Sequence, residues 1–208
     1  MRNVTDRVSN PFGMQPPCER FVPGYGDANA HFHVIGDHPG IHGGAETGVP
    51  FTGCAAGRRL QRALHDADLL ETTGDDPEVD KTYLSYLHTC VSEGEPTDDD
   101  YAAMEPFFDA ELRAIAAHVL LPVGERAIRH VLETCTAHDT TDLDVDSLHA
   151  TEVLGSGWLV VPIREPTAWD SDDASSLVAA LDRLRATDYR RESDLGRFVA
   201  GNEPYLVR

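Results

Sequence analysis

Lysine is almost missing: Lys81 is the only one in 208 residues, and arginine supplies the rest of the 17 basic side chains. No apolar run approaches the roughly 18–20 residues that a membrane span needs. The opening stretch, MRNVTDRVSNPFGMQPP, lacks the apolar core of a secretion signal. These absences predict a cytoplasmic protein with no membrane partner. No CxxC pair occurs among Cys18, Cys54, Cys90 and Cys135, which excludes a zinc ribbon. In a reducing cytoplasm disulfides are not expected, so the four are read as free, mostly buried thiols. No linker, repeat or low-complexity tract interrupts the chain, and residues 1–208 are expected to form a single domain with one sizeable core.

What is abundant is acid. Asp and Glu total 36, for a net charge of −19, and they gather in runs such as Asp75-Asp76, Asp98-Asp99-Asp100 and Asp172-Asp173. At ordinary ionic strength such a surface repels itself. At about 1 M salt the screening length falls to roughly 3 Å and the repulsion largely disappears. The composition therefore predicts a salt-adapted, halophilic host; an acidic partner-binding face is the other reading. Net charge also argues against DNA binding in dilute buffer. In molar salt that argument loses its force, because attraction and repulsion are both screened.

Four apolar segments read as buried strands, at residues 31–36, 82–87, 119–124 and 158–163. Helix-like segments lie between and after them, at residues 53–70, 97–118, 124–135 and 171–186. Thr97 with its aspartate run suits a helix N-terminus. Strand alternating with helix implies an α/β protein, with a parallel sheet and right-handed crossovers. Residues 1–25 and 188–208 read as irregular.

In such sheets a ligand crevice lies beyond the carboxyl ends of the strands. That rule selects the loops at 37–52, 87–97 and 164–169 and the turn at Gly124. The first is glycine-rich and carries Asp37, His38, His42 and Phe51. Its length exceeds what simple connection requires, and its glycines allow close backbone approach to a ligand.

The segment Gly36-Asp37-His38-Pro39-Gly40 resembles motif A of the uracil-DNA glycosylase superfamily, which reads Gly-Glu-Ala-Pro-Gly in its iron–sulfur (family 4) branch. Gly48-Val49-Pro50-Phe51-Thr52-Gly53 is similar to that branch's Gly-x-Pro-Phe-x-Gly. The stretch from Val22 to Ala30 resembles the lead-in to the first strand. Tyr83-Leu84-Ser85-Tyr86-Leu87-His88-Thr89-Cys90 resembles the second strand, and Leu120-Leu121-Pro122-Val123-Gly124 the third. Glu165-Pro166 stands where motif B has His-Pro. The likeness runs in order over residues 15 to 185, and with the acidic composition it suggests a diverged, haloarchaeal-like member. It implies a three-layer sandwich with a four-stranded parallel sheet flanked by helices.

The resemblance also implies a chemistry. A glycosylase takes a base out of the DNA stack, seats it in a pocket and hydrolyses its N-glycosidic bond. Positive charge grows on the sugar and negative charge on the departing base, so a carboxylate by the sugar stabilises the cation or activates water. Asp37 matches the acidic position of motif A. His38 holds the next position, which is the catalytic aspartate in family 1 enzymes and asparagine in the mismatch-specific branch. The implied catalytic set is Asp37, His38 and Glu165. The implied substrate-binding set is Gly36, Pro39, Gly40, Ser85, Tyr86 and Phe51, with Phe51 as the base-stacking platform. Asp37 and Glu165 together suggest two neighbouring carboxylates, one with a raised pKa, that divide acid and base work. DNA with a flipped base is the expected partner, and a monomer the expected state.

Two departures alter the expectation. Tyr86 stands where the family asparagine reads uracil, and Glu165 where it has histidine. Neither replacement presents the same donors and acceptors, so a changed base specificity follows. Only Cys18 and Cys90 match the four cysteine ligands of the iron–sulfur branch; Gln15 and Met104 stand at the others. Such a cluster needs four thiolates, so no cofactor and no metal is expected. A catalytically impaired DNA- or nucleotide-binding relative is the alternative function. A metal hydrolase using His31, His33, His38 and His42 is a third.

Overall fold

The computed structural model describes residues 3–190. Six strands form one mixed sheet: β1 (Tyr25–Gly26), β2 (Phe32–Gly36), β3 (Thr82–Tyr86), β4 (Val119–Pro122), β5 (Val153–Leu154) and β6 (Leu159–Val160), in the order β1-β3-β2-β4-β6-β5. The inner four, β3-β2-β4-β6, run parallel. They are the four apolar segments of the sequence. β1 and β5 add antiparallel edges, so the expected four-stranded parallel sheet is corrected to a six-stranded mixed one. Each edge strand has two residues. That is too short to carry an alternation a sequence can display, and it leaves little open edge for pairing with another chain.

The helices follow from pattern and caps. In α2 (Ala55–Asp66) Ala56, Leu60, Ala63 and Leu64 fall on one face and are buried, while Arg58, Arg59 and Arg62 face out. α3 (Asp98–Ile115) opens on a capping box, in which Thr97 accepts from the Asp100 N–H and Asp100 accepts from the Thr97 N–H. It stops three residues before the expected end, where Ala116 turns left-handed at φ 49°. A short helical turn, α1 (Pro39–His42), lies in the glycine-rich loop after β2; α4 (Glu125–Cys135) leaves β4 through Gly124, and α5 (Asp173–Arg185) follows β6.

Strand alternation sorts the core into two layers. Phe32, Val34, Leu84, Leu121 and Leu159 face α2 and α5, with Leu60, Leu64, Leu177 and Leu181. Ile35, Leu120 and Val160 face α3 and α4, with Phe108, Leu112, Ile128 and Val131. This gives three layers, helices on both faces of the sheet. The irregular tail expected at 188–208 lies mostly outside the described residues. Among those residues, no helix is long and apolar enough to cross a membrane.

One expectation about cysteine is overturned. Cys18 and Cys90 form a disulfide, and Cys54 and Cys135 are free. The pairing follows from an antiparallel contact that sequence spacing does not reveal. Val22 N–H donates to Thr89 O at 2.8 Å and Val91 N–H to Arg20 O at 2.9 Å, which lays the N-terminal segment beside Cys90.

Candidate active site

Backbone pairing continues past the formal strand ends and builds a rim. Leu87 N–H donates to Gly36 O, His88 N–H to Asp37 O, Val123 N–H to Ile35 O and Gly124 N–H to Ile163 O, all at 2.8–3.0 Å. Asp37, His88, Gly124 and Glu165 thereby gather at the carboxyl edge of the sheet. A cavity of about 750 Å³ opens there toward α3 and α4, lined by Asp37, Ile41, His42, Tyr101, Gly124 and Glu165 among others.

His42 organises this rim. Its ring is fully buried. Its Nδ1 accepts from the Asp37 N–H at 3.0 Å, so in the neutral ring Nε2 carries the proton. Nε2 then donates to Glu165 Oε2, also at 3.0 Å. The other Glu165 oxygen accepts from the N–H and hydroxyl of Thr167 at 3.3 and 3.2 Å. Burial raises the Glu165 pKa, but the hydrogen bond from His42 and the bonds from Thr167 outweigh it and hold the carboxyl below its ordinary value. A carboxylate pair with one member raised was expected. Instead a histidine separates the two acids, and Glu165 is kept ionised. Gly124 turns the chain beside this pair at φ 83°, a conformation that L side chains rarely adopt.

Tyr101 holds Asp37 from the other side. Its hydroxyl donates a hydrogen bond to Asp37 Oδ1. The Arg126 guanidinium stacks on the Tyr101 ring, 4.1 Å from its centroid. Burial, then the bond to Asp37, pushes the Tyr101 phenol well above its ordinary pKa, so it remains a donor.

The remaining candidates divide. His38 is buried beside Asp37, caps α1 and accepts from the Gly40 N–H at 3.1 Å through Nδ1; burial lowers its pKa. Gly36, Pro39 and Gly40 belong to the same turn, and a Cβ at Gly36 would strike Phe51 and Tyr86 at 2.7 Å. Phe51 and Tyr86 do not line the cavity. Tyr86 accepts from the Phe51 N–H at 2.6 Å and donates to Gly43 O at 3.0 Å, stapling the glycine-rich loop from below. Phe51, in the left-handed region at φ 60°, lies behind His42 with ring centroids 5.5 Å apart. Ser85 faces the opposite layer and bonds His33 Nε2 at 2.7 Å. By sequence His42 stands in the ligand-crevice loop and as a candidate metal ligand, not in the glycosylase set; Tyr101 reads as an ordinary residue of a helix.

The uracil DNA glycosylase superfamily model matches residues 23–184, a stretch that contains this rim, the sheet and both helical layers. The chain belongs to the uracil DNA glycosylase superfamily. Among its relatives is the Type-5 uracil-DNA glycosylase of Thermus thermophilus, 33% identical over 127 residues, 58% of each chain. That of Pyrobaculum aerophilum is 32% identical over 120 residues, 55% of this chain and 53% of its own. That of Mycobacterium leprae is 30% identical over 114 residues, 52% and 50%. The chain spans about half the length of the relatives it matches. These relatives carry the type-5 name, so the expected family 4 branch and haloarchaeal-like ancestry are not supported, while the superfamily is.

A superfamily iron–sulfur cluster does not fit these residues. Cys18 and Cys90, the two matching positions, are joined to each other, and a further ligand position brings only the thioether of Met104, 3.7 Å from Cys90 Sγ. The four-histidine metal reading fares no better. His33 is buried against Ser85, with its pKa pushed down to about 3 by burial. Among the described residues no group of three or more His, Cys, Asp or Glu is placed to hold a metal ion.

Proposed function

We propose that this chain is a DNA base-excision glycosylase that hydrolyses the N-glycosidic bond of a flipped base, uracil-like or otherwise damaged, and that residues 1–208 form its single domain. The observation that carries the reading is the joining of Asp37 and Glu165, from the first and last inner strands, through His42 on one cavity wall. In this reading Asp37 faces the sugar. Tyr101 fixes one carboxylate oxygen, and the charge stabilises the oxocarbenium-like cation or orients the attacking water. Ionised Glu165 holds the His42 proton on Nε2, which fixes the ring that carries the Asp37 backbone. His38, beside Asp37, is the group left to aid the departing base. The partner is DNA, on which the protein acts as a monomer, with no cofactor in the chemistry.

One observation favours the alternative, an impaired DNA- or nucleotide-binding relative. Both functions of the Tyr86 hydroxyl are used on the loop, and Phe51 is buried behind His42. Neither is then presented to a base as an edge reader or a platform. Base specificity is therefore expected to differ from that of uracil enzymes, since unpaired polar groups on a mismatched base cost orders of magnitude.

The test is base release in molar KCl from single- and double-stranded DNA carrying uracil, hypoxanthine or other damaged bases. Asp37→Asn is expected to lower the rate by about 10²-fold or more, as loss of a transition-state charge does. Glu165→Gln is expected to lower it less, because it acts through His42. Unchanged rates in both variants, or no release from any DNA, leave the binding reading.

A further inference from the structure

A base that leaves its sugar takes the bonding electron pair with it. A neutral base therefore departs as an anion, and it needs a proton or a positive charge beside it. The side chains of the rim supply neither. Tyr101 gives its hydroxyl proton to Asp37. His42 gives its Nε2–H to Glu165 at 3.0 Å, and its Nδ1 is occupied by the Asp37 N–H. Thr167 also donates to Glu165. Both guanidiniums on the cavity wall are engaged: Arg126 pairs with Asp98 at 3.2 Å, and Arg129 pairs with Glu125 at 3.2 Å and donates to Thr140 O at 2.8 Å. His130 lies further along α4 on the same wall, where burial lowers its pKa and favours the neutral ring.

Negative charge is what the wall holds instead. Asp37, Asp98, Glu105, Glu125, Glu133 and Glu165 all line it. Arg126 and Arg129 answer Asp98 and Glu125, and no guanidinium among the residues on this wall is left for the others. Asp37 is buried and Glu165 half-buried, so salt screens these two least. The wall also shows how it receives a flat cation. The Arg126 guanidinium lies over the Tyr101 ring, 4.1 Å from the centroid, while it pairs with the Asp98 carboxylate. An aromatic face combined with a carboxylate is a receptor for planar, delocalised positive charge.

A purine alkylated on a ring nitrogen, such as 7-methylguanine in DNA, is a planar, delocalised cation. When its C1′–N9 bond breaks, the electron pair neutralises the ring, and the base departs uncharged without a donor. Water adds its oxygen to C1′, and its proton passes by way of Asp37 to solvent. We propose that this cavity takes cationic, ring-alkylated purines, with the Glu165 carboxylate selecting for their charge. A volume of about 750 Å³ admits a purine. The inference rests on the glycosylase reading and names the substrate class of that site.

The experiment measures base release in molar KCl by wild type and Glu165→Gln. The duplexes carry 7-methylguanine, hypoxanthine or uracil, each compared with its spontaneous loss without protein. Wild type is expected to release 7-methylguanine faster than it is lost spontaneously. Glu165→Gln is expected to lower kcat/KM about tenfold more on 7-methylguanine than on hypoxanthine, because only the first base carries the charge that the carboxylate attracts. A loss that came only through the His42 ring would move both purines by the same factor. Should Glu165→Gln fail to fold, Glu105→Gln decides: this residue is exposed on α3, and its loss is expected to shift the same ratio in the same direction by about twofold. Equal losses on the two purines, or release of hypoxanthine or uracil without 7-methylguanine, overturn the inference and leave the glycosylase reading standing. Release of 7-methylguanine alone upholds it. Release of no base from any of the three DNAs overturns the glycosylase reading, and the inference falls with it.

Discussion

The hydroxyl of Tyr86 serves the glycine-rich loop twice, as acceptor for Phe51 N–H and donor to Gly43 O. Replacing it with phenylalanine keeps the ring and leaves a buried N–H and carbonyl unpaired. Such orphaned groups cost roughly 1–3 kcal/mol each. Tyr86→Phe is therefore expected to lower the unfolding free energy by a few kcal/mol at most, read as a lower urea midpoint at unchanged slope. A midpoint equal to wild type would mean that the loop does not depend on this staple. The same residue marks the limit of what sequence shows at this scale. Strand ends and motif order point to Asp37 and Glu165, and both lie on the cavity wall. Tyr86 reads from sequence as a site position, whereas its side chain turns beneath the loop. His42 and Tyr101 matter through hydrogen bonds to a backbone N–H and a carboxylate, which no local pattern announces.

At the scale of elements, the inner strands and the four long helices were readable because each repeats an apolar period over several residues. The edge strands and the Cys18–Cys90 bond depend on contacts between distant segments, so periodicity does not reveal them. A polar seam between β2, β3 and α3 was also invisible. Tyr83 donates to Glu111 Oε1 at 2.6 Å, Ser85 also bonds Glu111, and His33 bonds Ser85. Gly24 allows the approach, because a Cβ there would lie 2.2 Å from Glu111 Oε1. Burial raises the Glu111 pKa from 4.5 to about 7, against the lowering effect of its two hydroxyl donors. Between those values the folded state holds a proton that the unfolded state has released, so stability falls as pH rises through the window. The full effect is on the order of 3 kcal/mol. His33, lowered from 6.5 to about 3, tilts stability the other way below pH 6.5. The difference in unfolding free energy between wild type and Glu111→Gln isolates the glutamate. Relative to the variant, wild type is expected to lose stability from pH 4.5 to 7 and to stay level above. A flat difference across that range would mean that Glu111 titrates normally.

For the whole molecule the governing quantity is charge. With 36 acidic against 17 basic side chains, arginine cannot neutralise the surface. Pairs such as Arg20–Glu46 and Arg113–Asp109 are exposed, where an ion pair contributes about 0–1 kcal/mol. The acidic runs are not uniform, however. Asp98 and Asp99 are exposed, whereas Asp173 is buried against Arg164, 3.4 Å away, and receives the Asp170 N–H at 2.8 Å. Salt thus acts on the exposed carboxylates and leaves the buried ones largely untouched. Raising KCl from about 0.1 M to molar concentrations shortens the screening length from about 10 Å to about 3 Å, which removes most repulsion between neighbouring surface carboxylates. The melting temperature is therefore expected to rise steeply over that range. Excluded salts also strengthen apolar burial, so a second variant separates the two causes. Asp75→Asn with Asp142→Asn removes two exposed charges outside the helices and leaves the core as it is. If repulsion is what salt relieves, the double variant melts above wild type in dilute buffer, and the gap closes in molar KCl. A gap that persists at all salt concentrations, or equal melting of wild type across them, would remove the case for a salt-adapted surface.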